Sequence, residues 1–215
     1  MYQQKRISLA DRVFEKLEND ILTGKYKYGE IITETRLSEE LGVSRTPIRE
    51  AIRELEQEKI IRETGKGMMV IGITKENLSD IYEIRLRIEG LAAKKAAKNI
   101  SEDEVKRLLE ILELQEFYTS KKDSDHIKDT DSDFHNMIYD CCKSEILKDT
   151  LLPLHRKIKK FRKASVESGN RAAEAAGEHR KIFEAISSHD GDLAEKLMTE
   201  HIKNARDNIL KNVGE

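Results

Sequence analysis

Asp131 and His135 stand four residues apart in the run Asp131-Ser132-Asp133-Phe134-His135, so on a helix a carboxylate and an imidazole share one face, a turn apart. That spacing suits a metal ion. Two further histidines lie on stretches of apolar periodicity: His179 precedes Ile182, Phe183 and Ile186, and His201 follows Leu193, Leu197 and Met198. Both imidazoles are therefore expected to project toward the interior of a helical bundle. One carboxylate and three imidazoles make a nitrogen and oxygen donor set for Zn²⁺, Ni²⁺, Mn²⁺ or Fe²⁺. Spacing alone does not bring the four together, and each histidine taken singly also fits a surface or hydrogen-bonded role.

A second constellation lies near the start. Residues 37–55 read as two short helices around a tight turn. Leu37 and Leu41 give the first an apolar stripe, Gly42 can take the positive φ that ends it, Ser44 is placed to cap the second, and Pro47 falls in that helix's first turn. Ile48, Ile52 and Leu55 share one face while Arg45, Arg49 and Arg53 share another, so one side can pack and the other can meet phosphates and base edges. A basic face on a lone helix is usually just solvated. Here the surrounding order argues for DNA: a helix over residues 9–22, a turn over 24–29, the two short helices, then strands over 60–63 and 68–73 around Gly65-Lys66-Gly67. Helix, helix–turn–helix and a two-stranded wing make a winged-helix domain.

These residues resemble the DNA-binding domain of the GntR family of bacterial transcription regulators. The match is carried by Ile21-Leu22-Thr23-Gly24, Gly29, Leu37-Ser38, residues 42–51, Leu55 and Gly67. The resemblance implies that Ser44, Arg45, Thr46 and Arg49 contact DNA and that Gly67 lets the wing backbone approach the minor groove. At Thr35, where many members carry arginine, this chain departs from the pattern.

A chain of 215 residues with 38% hydrophobic content has room for two modest cores. Its net charge is −2, and basic and acidic residues balance over residues 1–74, so DNA binding has to rest on a local basic face with Glu50, Glu54, Glu56 and Glu58 turned away. No run of 18 apolar residues exists, and Met1-Tyr2-Gln3-Gln4-Lys5-Arg6 is not followed by an apolar segment, so a cytoplasmic protein away from membranes is expected. Cys141 and Cys142 are sequence neighbours, a poor arrangement for a structural disulfide; helix packing in a reducing compartment is expected, with thiol sensing the alternative.

From residue 75 nearly everything follows a 3.6-residue rhythm with one proline, Pro153, and breaks near residues 99–101, 120–125, 168–170 and 189–191. Six or seven helices in an all-α bundle are expected. The fold class is thus mainly α, with residues 1–74 a winged helix–turn–helix domain and residues 75–215 an all-helical metal- and effector-binding domain. This second half resembles the FCD ligand-binding domain that accompanies GntR-type DNA-binding domains in the FadR subgroup. The resemblance rests on Ile84-Arg85, Glu89, Ala92-Ala93, Asp131, Phe134-His135, Glu178-His179, Ala185-Ile186, Asp192, Ala194 and His201. It implies Asp131, His135, His179 and His201 as ligands of a divalent transition metal, Zn or Ni first, and a small organic acid bound at or beside it.

Two roles stay open for Arg85: clamp for the acid's carboxylate, or partner of Glu89. Arg162, among Lys157, Lys159, Lys160 and Lys163, reads as solvated. The expected function is a ligand-responsive transcription regulator, a repressor, acting as a homodimer on near-palindromic operator DNA. The alternatives are a regulator that senses the metal directly, and a metal-dependent enzyme that activates water. The enzyme reading lacks a paired general base or a nucleophile motif.

Overall fold

The first helix starts where its orphan amides find partners: the Ser8 hydroxyl accepts the Asp11 N–H at 3.0 Å and the Asp11 carboxylate accepts the Ser8 N–H at 2.8 Å. From there α1 (Leu9–Leu22) carries Val13, Phe14, Leu17 and Ile21 on one face. A computed structural model of the chain describes residues 8–158 and 170–212 and divides into two compact units, Met1–Thr74 and Lys75–Glu215.

In the first unit α1 is followed by β1 (Ile31–Ile32), α2 (Glu34–Leu41), α3 (Arg45–Gln57), β2 (Ile61–Thr64) and β3 (Gly67–Val70). The apolar face of α1 meets Leu37 of α2, Ile48, Ala51, Ile52 and Leu55 of α3, and Ile32, Ile61 and Val70 of the sheet in one core. Gly42 closes α2 at φ 65°, the left-handed turn expected of it. The wing differs from expectation. It is a three-stranded antiparallel sheet ordered β1-β3-β2, and β3 stops at Val70. A two-residue strand carries no alternation that a sequence pattern can register.

Gly67 sits at φ 131°, and a Cβ there would lie 2.9 Å from the Ile32 carbonyl oxygen and 3.1 Å from the Ile31 side chain. The glycine is therefore required by the close pairing of β3 with β1.

The second unit holds, among its described residues, α4 (Lys75–Asn99), α5 (Glu102–Lys121), α6 (Ser124–Cys141), α7 (Glu145–Lys157), α8 (Arg171–Ser187) and α9 (Gly191–Asn212). Its core takes Tyr82, Ala92 and Ala96 from α4, Leu108 and Leu112 from α5, Phe134 and Ile138 from α6, Leu151 from α7, Ile182 and Ile186 from α8, and Met198 and Ile202 from α9. Gly90 explains how closely α4 and α9 approach: a Cβ there would lie 2.8 Å from the Glu195 carbonyl oxygen. Ser101 and Glu104 form a capping box at the expected break before α5. The expected break near 168–170 and the position of Arg162 fall in part or wholly outside the described residues. Both cysteines are free thiols in the interior, and burial pushes the Cys141 thiol up to about 12, which fits a packing role.

Candidate functional site

On α3, Ser44, Arg45, Thr46 and Arg49 are all exposed, while Pro47, Ile48, Ala51, Ile52 and Leu55 are buried beneath them. Ser44 occupies the N-cap with β-type backbone angles, but its hydroxyl makes no capping hydrogen bond, contrary to the expectation from sequence. Part of the reason is local. An N-cap oxygen bonds the amide of the second or third helical residue, and Pro47, the third here, has no N–H, which leaves only the Thr46 amide for a cap. The hydroxyl stays at the surface beside Arg45 and Thr46. The Arg49 Nε donates to Glu34 Oε2 of α2 at 2.8 Å, and Arg36 is held by Glu30 and Glu40 at 2.8 and 2.7 Å. Arg45, Arg49 and Arg53 thus form an outward cationic ridge on a helix anchored by its opposite face.

In the helical unit, α6 supplies His135, α8 supplies His179 and α9 supplies His201, and all three rings are buried. Their ligating nitrogens lie within 4.8 Å of one another, and Asp131 brings Oδ1 to 3.9 Å from His179 Nε2. The structure therefore brings the three imidazoles together, with the Asp131 carboxylate beside His179.

The surroundings decide which nitrogens face one another. His179 Nδ1 lies 2.8 Å from Gln115 Oε1, His201 Nδ1 lies 2.6 Å from Glu178 Oε2, and His135 Nδ1 lies 2.7 Å from Glu89 Oε1, off the line of a well-aligned hydrogen bond. The Gln115 and Glu178 oxygens can only accept, so Nδ1 of His179 and of His201 carries the proton and Nε2 of each carries a lone pair. Phe134 stacks on the His179 ring at 4.2 Å between centroids and fixes its plane. The consequence is direct. His179 Nε2 and His201 Nε2 face each other at 3.2 Å with two lone pairs and no hydrogen to share.

Protonation does not relieve that repulsion. Burial, followed by the neighbouring His201 and His135, pushes the His179 pKa well below the ordinary imidazole value, and burial does the same to His201 despite the Glu178 carboxylate beside it. A cation between the rings does relieve it. Two nitrogens each about 2.0–2.1 Å from a tetrahedral Zn²⁺ are about 3.3–3.4 Å apart, close to the spacing seen. The residues fit a divalent transition metal on donor type, tautomer and separation.

Glu89, His135 and His155 form a second buried trio with ligating atoms within 4.8 Å. Glu89, however, already accepts from Arg85 Nε at 2.7 Å, from Arg85 Nη2 at 3.2 Å and from Tyr139 Oη. A guanidinium at that distance opposes a second cation, so this group serves as support for His135. Burial alone would raise the Glu89 carboxyl; the Arg85 guanidinium and the His135 ring hold it far below its ordinary value. Of the two roles open to Arg85, the structure shows the pairing with Glu89, in a pair 2% and 0% exposed.

Sequence reasoning did not reach Gln115, Glu178 as a support for His201, or Arg171. Glu178 accepts both Nη atoms of Arg171, at 2.8 and 2.7 Å, and Asn204 Nδ2 at 2.9 Å. Glu178 had a signal, since it adjoins His179; Gln115 had none. A cavity of about 40 Å³ beside Asp131, His135 and His201 is also lined by Arg85, Lys128 and Arg171.

Two family descriptions match this chain: bacterial regulatory proteins of the gntR family over residues 9–70, and the FCD domain over residues 80–204. An uncharacterised HTH-type transcriptional regulator, YdhC of Bacillus subtilis (strain 168), is 31% identical over 194 residues, covering 87% of this chain and 85% of YdhC. The gluconate operon transcriptional repressor of the same organism is 36% identical over 141 residues, 64% of this chain and 58% of that repressor. The HTH-type transcriptional repressor RspR of Escherichia coli (strain K12) is 26% identical over 199 residues, covering 92% and 87%. In fold, the chain is similar to E. coli McbR/YncC with a TM-score of 0.82 at 24% identity over 97% of this chain and 100% of that one. Regulators of this kind bind operator DNA, typically as dimers, and the relatives found are regulators and not enzymes. No helix among the described residues is long and apolar enough to cross a membrane. A winged helix–turn–helix joined to a helical bundle, both matched along their length, makes this chain a transcription regulator of the GntR family with an FCD domain.

Proposed function

We propose that the protein is an operator-binding repressor, working as a homodimer, whose grip on DNA is set by a small organic acid bound at a divalent transition metal. Asp131, His135, His179 and His201 hold the metal, with Zn²⁺ and Ni²⁺ the first candidates for this donor set. The observation that carries the reading is the pair of buried Nε2 lone pairs facing each other at 3.2 Å, each ring locked by an acceptor on its far nitrogen. The metal, when bound, supplies a Lewis-acidic position for a carboxylate oxygen. The names of the gluconate operon repressor and of RspR support repression, and the former supports a sugar-acid type of signal.

At the other end, Arg45 and Arg49 read base edges, each good bidentate contact contributing about 1–3 kcal/mol of discrimination, while Ser44 and Thr46 meet phosphates and Gly67 brings the wing near the minor groove. Arg49 exchanges Glu34 for DNA on binding. Affinity falls with salt roughly as the −0.9 power per phosphate contact. A modest coupling of about 1–3 kcal/mol between the units suffices for regulation.

A second reading, direct metal sensing, is favoured by the small cavity of about 40 Å³, which holds no more than a few waters as it stands. Fluorescence anisotropy on an operator fragment separates the two, using chelator-treated protein, Zn²⁺-loaded protein, and Zn²⁺-loaded protein with D-gluconate or related acids. Acid-regulated repression predicts a shift of about tenfold in operator affinity on adding an acid to the loaded protein, within the usual range of coupling. A shift on metal loading alone, insensitive to every acid, supports metal sensing. No shift in any arm refutes both.

A further inference from the structure

The helical unit contains two arginines beside the metal-side cavity, and they differ in what happens if they let go. Arg85 is locked to Glu89, whose side chain is 0% exposed, so release would leave a carboxylate stranded in the core. Arg171 is locked to Glu178, whose side chain is 22% exposed and keeps His201 and Asn204 as donors when the guanidinium leaves. Arg171 is thus the arginine that can change partners.

Its position matters as much. Arg171 lines the inner cavity together with Asp131, His135 and His201, and it also lines an outer cleft of about 480 Å³ with Glu174, Asn204 and Asp207. It is a wall common to both spaces. The inner cavity of about 40 Å³ and the outer cleft thus share the Arg171 side chain.

We propose that Arg171 is the effector-recognising residue of this site: it trades the Glu178 carboxylate for the carboxylate of an incoming small acid and in doing so opens the route from the surface cleft to the metal side. The exchange is isosteric, one bidentate guanidinium–carboxylate pair for another, so its cost is small. It also changes the load on Glu178, which orients His201, and this links arrival of the acid to the geometry of a metal ligand. The inference rests on the acid-at-metal reading proposed above.

The test uses the full-length protein loaded with Co²⁺, whose visible bands report coordination, titrated with D-gluconate and with acetate. In the wild type, either acid shifts the bands with a saturating dependence. Arg171→Gln weakens that affinity by at least about tenfold with cobalt still bound one per chain, and Arg171→Lys recovers part of it. Glu178→Gln, which removes the competitor for Arg171 but retains an acceptor for His201, tightens acid binding. Circular dichroism melts establish that the variants are folded, and Arg171→Lys serves should the glutamine variant not be. Wild-type affinity in Arg171→Gln, or weaker binding in Glu178→Gln, overturns the role of Arg171 while leaving the acid-at-metal reading intact. Absence of any carboxylate response in the cobalt-loaded wild type overturns that reading and this inference with it.

Discussion

The two units keep their working side chains in opposite ways. On α3, Ser44, Arg45, Thr46 and Arg49 stand in solvent on a helix held by its other face, and among the described residues only Arg49 of these has an ion-pair partner, Glu34. In the helical unit, His135, His179 and His201 are buried, each with its far nitrogen against an oxygen from a different helix or turn of helix. Exposed cations suit a ligand that brings its own charges and water, because nothing has to be dehydrated in advance and side chains can adjust to the groove. A small ion gives no such latitude; it needs lone pairs fixed to a few tenths of an ångström, and that requires a packed and hydrogen-bonded shell.

The contrast breaks most readily at Glu89. Replacing it with alanine leaves the Arg85 guanidinium uncompensated in the core and releases His135, so a stability loss of about 3–5 kcal/mol is expected in denaturant unfolding. Near-wild-type stability would show that the fold does not depend on this pair. Next in size, His179→Ala is expected to cut metal affinity by more than about 100-fold in a chelator competition, beyond the range typical of supporting residues, while metal-free operator affinity stays put. Gln115→Ala, which loosens only the orientation of that ring, should fall within about 10–100-fold.

Arg45→Ala sharpens the comparison from the other side. It is expected to lose about 1–3 kcal/mol of operator discrimination in anisotropy with metal stoichiometry unchanged. Coupled loss of both properties in either variant would mean that the units do not separate these tasks. The smallest effect concerns pH. The folded state holds His179 and His201 below the ordinary imidazole value of 6.5, so as pH falls through that value the unfolded chain takes up more protons than the folded one. Metal-free protein should therefore lose thermal stability between about pH 7 and 5.5, and His179→Gln should flatten that slope. A slope unchanged in the variant would place the pH dependence elsewhere.

Reading the chain reached different depths in the two units for the same physical reason. The α2–turn–α3 geometry is written in neighbours, since Gly42, Pro47 and the Ile48, Ile52, Leu55 face act within a few residues of one another. Even there, Pro47 three residues on removes one of the two amides Ser44 could have capped, and the strand Ile31–Ile32 is too short to leave a pattern. In the helical unit the periodicity shows helices and the resemblance names the four ligands, but the supports are joined across long stretches: Gln115 reaches His179 over 64 residues and Tyr139 reaches Glu89 over 50. Arg85 illustrates the limit. Its spacing from Glu89 allowed a pair and the metal allowed a clamp; the structure shows the pair, buried on both sides, with Arg85 also on the wall of the inner cavity.

The central claim is that three imidazoles and one carboxylate share a single ion. X-ray absorption at the zinc edge of the Zn²⁺-loaded protein tests it most directly. The account predicts one zinc per chain with a first shell of nitrogen and oxygen at about 2.0–2.1 Å and the multiple-scattering signature of three imidazoles, one of them lost in His201→Ala. A zinc shell with fewer than two imidazoles, or one unchanged by His201→Ala, would contradict it.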